Sequence, residues 1–251
     1  MRTLIVSDLH LDPSEPARYR AATEAIGHVS YDRLILAGDV FEAWVGADGA
    51  TPLDIEFLDH LGGSATECIL IPGNRDFLLS HDWLTQFGIT YQTQLASTDA
   101  LVIHGDELCT DDQAYQTFRA EVRAPDWQAT FLAKPLSERQ SIAEGLRQAS
   151  RETQANRPES IGDAVDQTVD AIMQEYSVDL LIHGHTHRPA IHSVKWGLRA
   201  VTSDWTDSGV GLILEVDDHV RCLESVWLGS RMNVLQSWSQ LAGTPEWKRN
   251  V

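Results

Sequence analysis

Five short apolar runs, each followed by a metal-ligand residue type, constrain this chain more than any other feature. They are Thr3-Leu4-Ile5-Val6 before Asp8 and His10, Leu34-Ile35-Leu36-Ala37 before Gly38-Asp39, and Ile69-Leu70-Ile71 before Gly73-Asn74. The last two are Leu101-Val102-Ile103 before His104-Gly105, and Leu180-Leu181-Ile182 before His183-Gly184-His185-Thr186-His187. Runs this short and rich in branched aliphatics predict strands buried on both faces. Open α/β sheets bind ligands beyond the carboxyl ends of their strands. One sheet is therefore expected to collect Asp8, His10, Asp39, Asn74, His104, His185 and His187 along one edge. Each piece alone is a weak signal. Together they are strong, because polar caps on strands would as readily be Ser or Thr.

Carboxylate, imidazole and amide donors without cysteine suit a pair of borderline-hard divalent ions. Two ions roughly 3.5–4 Å apart need a carboxylate between them to screen their repulsion. Asp39, from the middle of the set, is the expected bridge. Asp8, His10 and His187 would complete one ion, and Asn74, His104 and His185 the other. A water shared by both ions loses a proton near neutral pH and becomes the expected nucleophile. His183 points away from His185 if the strand runs through it, so it is expected to be packed rather than a ligand.

Charge narrows the partners. With 19 Lys and Arg against 37 Asp and Glu, the formal net charge is −18. That opposes general nucleic-acid binding and polybasic attachment to anionic lipid. The basic residues are 16 Arg and 3 Lys, and arginine forks grip phosphate bidentately. The 3 cysteines have no metal-type spacing, as in a reducing compartment. No signal peptide or long apolar span is found, so a cytoplasmic chain is expected.

Around the runs, periodicity predicts helices over Glu15–Val29 and Pro52–Leu61, a short helix at Trp83–Phe87, and strands at Tyr91–Leu95 and Ala100–Ile103. This β-α-β rhythm breaks after Asp106, and no strand-like run follows until beyond Ser160. Helical stretches at Ala114–Val122, Pro125–Leu132 and Ser137–Thr153 make this an inserted lid or binding element. Ser160 and Asp163 resemble a capping box ahead of a stripe of Ile161, Val165, Val169, Ile172 and Tyr176. Residues Ile191–Trp227 read as antiparallel strands, and the tail from Gly229 shows little pattern.

The pieces Asp8-x-His10, Gly38-Asp39, Gly73-Asn74, His104-Gly105 and Gly184-His185-Thr186-His187 resemble the motif set of the calcineurin-like metallophosphoesterases. The longer stretches Asn74-Arg75-Asp76-Phe77-Leu78-Leu79 and Cys109-Thr110-Asp111-Asp112 are similar to the branch of that superfamily that hydrolyses UDP-2,3-diacylglucosamine in lipid A biosynthesis. The resemblance covers about residues 1–228. It implies a four-layer α/β/β/α sandwich, with a core of residues 1–110 and 160–228, a helical cap at 111–159 and a tail at 229–251. It also implies two divalent ions, Mn²⁺ by family habit, and a nucleotide-linked glycolipid substrate split into UMP and 2,3-diacylglucosamine 1-phosphate. The site would lie on the cytoplasmic face of the inner membrane, in loose peripheral contact. The alternative is a dimetal nucleotide pyrophosphatase or dinucleoside polyphosphate hydrolase with a non-lipid substrate, which shares every ligand and has no use for an apolar lid. A scaffold that kept the fold and lost the chemistry would lack ligands that are all present here.

Arg75 stands where many such phosphatases carry a histidine general acid. Arginine cannot deliver a proton at neutral pH, but it stabilises negative charge. A departing phosphate needs charge stabilisation, whereas an alkoxide needs an acid. Arg75 therefore favours pyrophosphate cleavage; the plain alternative is a surface pair with Asp76 or Asp112. The resemblance adds substrate contacts at Asn74, Arg75, Asp112, Ser150 and His185. Gln154 and Arg157 stand where the family has asparagine and lysine, which changes the expected head-group contacts. Apolar residues of the insertion, among them Tyr115, Phe118, Trp127, Phe131 and Leu146, would hold the acyl chains.

Overall fold

The computed structural model describes residues 1–156, 159–205, 208–229, 231–241, 244 and 246–250, with the side chains of 153–156, 159 and 160 left aside. The first half alternates strand and helix: β1 (Arg2–Val6), α1 (Pro16–Gly27), β2 (Arg33–Ala37), α2 (Pro52–Gly62), β3 (Glu67–Ile71), α3 (His81–Thr85) and β4 (Ile89–Tyr91). Two short strands follow, β5 (Leu95–Ala96) and β6 (Ala100–Val102). Then come α4 (Gln113–Val122), α5 (Pro125–Leu132), α6 (Leu136–Asn156) and α7 (Asp166–Tyr176). The remainder is β7 (Leu180–His183), β8 (Ala190–Val194), β9 (Gly197–Val201), β10 (Gly209–Val216), β11 (Val220–Leu228), β12 (Asn233–Leu241) and β13 (Lys248–Arg249).

These strands form two sheets. An eight-stranded sheet has the order β13-β12-β11-β10-β1-β2-β3-β4, and a five-stranded sheet the order β5-β6-β7-β9-β8. The apolar runs alternate between two environments, as strand geometry requires. Leu4 and Val6 of β1, Leu34 and Leu36 of β2, and Leu70 of β3 pack with Ala22, Ile26, Phe57 and Leu58 of α1 and α2. Ile5, Ile35, Ile69 and Ile71 turn the other way, onto Val102, Leu180, Ile182 and Ala200 of the second sheet. Leu101 and Leu181 close the far side against Val169 and Met173 of α7. The layers are helix, sheet, sheet, helix, the four-layer arrangement that the family resemblance implies. Each buried Leu, Ile and Val among these contributes roughly 1.5–3 kcal/mol of transfer free energy.

The single collecting sheet is corrected by this arrangement. β1, β2 and β3 lie in one sheet, and β6 and β7 in the other. A run buried on both faces looks the same whether its second face meets a helix or another sheet, so the sequence does not separate them. Tyr91–Leu95 is not a strand but the crossing from β4 in the first sheet to β5 in the second. The helix after the insertion begins at Asp166, with Val165 as its cap and no side-chain cap bond. Asp163 instead receives the Ala164 amide at 2.8 Å and pairs with Arg188, so it does not close a capping box on that helix. The tail is more ordered than its sequence suggests. β12 pairs antiparallel with β11, and Trp247 lies against Arg221, whose guanidinium is 4.8 Å from the ring and 2.7 Å from Asp179 at the start of β7. No helix among the described residues is long and apolar enough to cross a membrane.

Candidate active site

The loops leaving β1, β2 and β3 meet those leaving β6 and β7 at one end of the sheet pair, because β1, β2 and β3 are mutually parallel and β6 is parallel to β7. The chain turns sharply there. Asp8, His10, Asp39, His185 and His187 have φ of 54°, 47°, 51°, 62° and 54°. Among the described non-glycine residues, only Ser177 shares this left-handed region. Each such residue costs roughly 1–2 kcal/mol, which ordinary loops avoid. Strain concentrated on five expected ligands marks a site whose side-chain directions outweigh backbone comfort.

The side chains converge accordingly. Asp8, His10 and His187 form one group of donor atoms within 4.8 Å of one another, and Asp8, Asp39 and His104 form a second. His187 Nε2 lies 3.3 Å from Asp8 Oδ1, and His104 Nε2 3.6 Å from Asp39 Oδ1. Asn74 Oδ1 joins the second group, 3.0 Å from His104 Nε2 and 2.8 Å from His185 Nδ1. All seven expected ligands are thus brought together. Oxygen and imidazole donors with no thiolate fit divalent cations of the Mn, Fe or Zn type. The electrostatics of the cluster agree. Burial opposes charge on Asp8, yet a bond from His187 and the neighbouring imidazoles hold its carboxyl well below the usual range. Burial likewise disfavours the His104 imidazolium, but Asp39, Asp8 and Asp106 push it up to about 9. Burial and His104 push His185 down to about 3. His183 is fully buried and also lowered to about 3, by burial and Arg199, in keeping with a packed role.

A surrounding set of contacts holds the ligands. His104 Nδ1 sits 3.0 Å from the Ala37 carbonyl, and Ser7 Oγ bonds both Asp8 and Thr202. Asp76 is fully buried; its two oxygens accept the amides of Val40 and Gly73, each at 2.7 Å, tying the loop after β2 to the loop after β3. Burial and Asp39 raise its carboxyl to about 6. The Cα of Gly184 packs on Ser7 and Asp8, and that of Gly73 on Asp39, where any side chain would collide.

A cavity of about 330 Å³ opens beside the cluster. Asn74, Arg75 and His185 stand at its junction with the ligands, and Trp44, Phe77, Tyr115, Phe118, Trp127 and Leu146 supply apolar walls. Trp127 stacks on Phe131 with centroids 4.9 Å apart. Asp112 and Ser150 also line it, although Asp112 additionally caps α4 by accepting the Tyr115 amide at 3.0 Å. The Gln154 side chain and Arg157 fall outside the described residues. Arg75 does not pair with Asp76, whose carboxylate faces inward; its Nη1 lies 3.1 Å from Glu42 and its Nε 4.0 Å from Asp39.

Several residues here escape the sequence reading. Glu42 contacts Arg75 and also His10, at 3.2 Å; burial opposes its charge, but His10, Arg75 and Arg147 hold its carboxyl below the ordinary range. Asp106, 1% exposed, receives Tyr115 Oη and Arg119 Nε at 2.7 Å each, which anchors α4 behind His185. Buried Arg139 fixes α6 to the body through Val45 and Asp48. Glu42, Asp76 and Asp106 each follow an expected ligand by two or three positions, the one local signal that could have found them.

Comparison with known proteins places this geometry. Residues 1–189 match the family model of the calcineurin-like phosphoesterases. A protein of Chromohalobacter salexigens named UDP-2,3-diacylglucosamine hydrolase is 38% identical over 232 residues, covering 87% of this chain and 94% of the relative. Proteins of the same name from Cellvibrio japonicus and Stenotrophomonas maltophilia (strain K279a) are each 40% identical, covering 83% and 86% of this chain and 93% and 95% of theirs. Among solved structures, vacuolar protein sorting 29 from Cryptosporidium parvum shares the fold at 12% identity, with a TM-score of 0.51 over 96% of this chain and 97% of that one. The chain belongs to the calcineurin-like phosphoesterases, within the group whose curated relatives carry the name UDP-2,3-diacylglucosamine hydrolase.

Proposed function

We propose that this protein hydrolyses the pyrophosphate of UDP-2,3-diacylglucosamine, releasing UMP and 2,3-diacylglucosamine 1-phosphate, as a step of lipid A biosynthesis. The observation that carries the reading is the meeting of the ligand cluster with an apolar cavity at Arg75. A general nucleotide pyrophosphatase needs the cluster and the arginine, but has no use for aromatic walls. Tyr115, Phe118, Trp127, Phe131 and Leu146 suit acyl chains, and residues 111–159 act as the cap over the core at 1–110 and 160–228.

Two Mn²⁺ ions are the cofactors in this reading, Asp8, His10 and His187 holding one and Asn74, His104 and His185 the other. When bound, such a pair activates a water and neutralises phosphate charge. Asp39 is the better bridge than Asp8. Asp8 already accepts the His185 amide at 3.0 Å and Ser7 Oγ, whereas Asp39 accepts the Arg75 amide at 2.7 Å and its other oxygen takes no such bond among the described residues. Asn74 and Arg75 face the transferring phosphorus. Arg75 spreads negative charge from the departing sugar phosphate, which needs no proton. Asp112, Ser150, Gln154, Arg157 and His185 orient the head groups. Exposed Phe118, Leu132 and Leu146 on the cap bring it into loose contact with the cytoplasmic face of the inner membrane, while the net charge of −18 disfavours nucleic acid.

The deciding experiment is hydrolysis of UDP-2,3-diacylglucosamine with Mn²⁺, beside the same UDP-sugar without acyl chains. UMP release from the acylated substrate alone is expected. Equal cleavage of both would reduce the protein to a general nucleotide pyrophosphatase.

A further inference from the structure

We propose that Glu42 is a positioning residue that gathers the guanidinium groups of Arg75 and Arg147 on one carboxylate oxygen, aiming both at the cavity mouth and latching α6 to the body. The aiming half of this inference rests on the reading of the cavity as a pyrophosphate-substrate site. Arg75 Nη1 is 3.1 Å from Glu42 Oε1, and Arg147 Nη1 is 3.8 Å from the same oxygen. The three residues come from three segments, the loop after β3, the loop after β2 and the cap helix, and all three line the cavity. Two guanidinium groups this close repel each other unless an anion sits between them. Glu42 is that anion, and it engages a single nitrogen of each at these distances. An arginine carries five N–H donors. Arg147 gives Nη2 to Glu144 of its own helix and shares Nη1 between Glu42 and Asp12, which leaves fewer donors for a ligand on Arg147 than on Arg75. Arg147 Nε is buried with no hydrogen-bond partner among the described residues. A phosphate oxygen would satisfy such a donor once a shift of the side chain opens access to it, and a charge-assisted bond of that kind is stronger than a neutral one. Asp12, 3.9 Å from Arg147 Nη1, adds a second body carboxylate on the cap side of the latch.

Hydrogen exchange tests the latch without substrate. In Glu42→Gln, the amides of α6 should exchange about tenfold faster than in the parent, with those of β1, β2 and β3 unchanged. Arg147→Gln should give the same increase from the cap side while leaving the strands untouched. Unchanged exchange of α6 in both variants overturns the latch. Steady-state hydrolysis of UDP-2,3-diacylglucosamine with Mn²⁺ tests the aim. Glu42→Gln should lower kcat about 10- to 100-fold with KM within about threefold. In an Arg75→Ala background it should add less than about threefold. Equal losses in the two backgrounds overturn the proposal. So does a Mn²⁺ affinity, measured by calorimetry, that falls about tenfold, since Glu42 would then act through His10. A parent protein that leaves the acylated nucleotide intact refutes the substrate reading alone, and the latch is then decided by the exchange result.

Discussion

His104 is held from behind by Ala37, whose carbonyl oxygen lies 3.0 Å from Nδ1. A proton on Nδ1 that serves this carbonyl leaves the Nε2 lone pair for a cation. The carbonyl belongs to the last residue of β2, and Asp39 follows two residues later, so one strand end sets both ligands. Asp39→Ala removes a carboxylate of the second group, the proposed bridge, without opening the core. Turnover should fall below detection while the far-ultraviolet circular dichroism is retained, and Mn²⁺ titration should show fewer ions bound per chain. Undiminished turnover would remove the bridging role.

Arg75→Ala separates leaving-group stabilisation from metal chemistry. Loss on the pyrophosphate substrate should reach about 100-fold or more, the scale for deleting a preorganised charge-stabilising donor. Loss on an activated aryl phosphate diester, whose leaving group is already weakly basic and has no phosphate for Arg75 to meet, should be much smaller. Equal losses on the two substrates would undo the leaving-group argument.

Asp106 gives a pH signature. Burial opposes its charge, but His104, Arg119 and Arg123 hold its carboxyl far below the ordinary range. The unfolded-state value is about 3.9. A depressed folded value means that its stabilisation is fully present above about pH 4 and is lost as pH falls through the folded value. Asp106→Asn should therefore be less stable than the parent at pH 7, and the gap should narrow in urea melts below about pH 3. A gap that stays constant from neutral to acid would remove this linkage.

Gly184→Ala tests the contact between the two sheets at the site. A methyl group there meets Ser7 Oγ and the Asp8 carboxylate. The strands must give way, at a cost of about 1–3 kcal/mol. Thermal melts of the metal-free protein should register that loss, and Mn²⁺ affinity should fall with it. A wild-type melt with wild-type affinity would mean that the loop after β7 does not rest on Asp8.

The ligands were legible in the sequence because each is a local event, an apolar run and then a donor. Leu36-Ala37-Gly38-Asp39 announces both its strand and its function within four residues. The division into two sheets was not legible. Ile5 and Ile182 share one buried cluster between the sheets, but nothing next to either in sequence says so. The roles of Asp76 and Glu42 are not legible in the sequence for a related reason. Their partners, Val40 and Gly73 for one and Arg75 and Arg147 for the other, become neighbours only once the loops are folded together. Asp163 misled in the opposite sense, since its spacing from Ser160 suited a cap while Arg188 lay within reach through space.

The carboxyl-terminal strand bears on how the chain can be shortened. β12 covers β11 along nearly its whole length, from Trp227 opposite Asn233 to Val220 opposite Leu241. A truncation after Leu228 spares every expected ligand and all of the cap, yet it uncovers the backbone donors and acceptors of a nine-residue strand. Bare sheet edges of that length recruit other chains. Such a trimmed protein should keep its metal ligands and lose its solubility, precipitating through a flank of the molecule that takes no part in the chemistry.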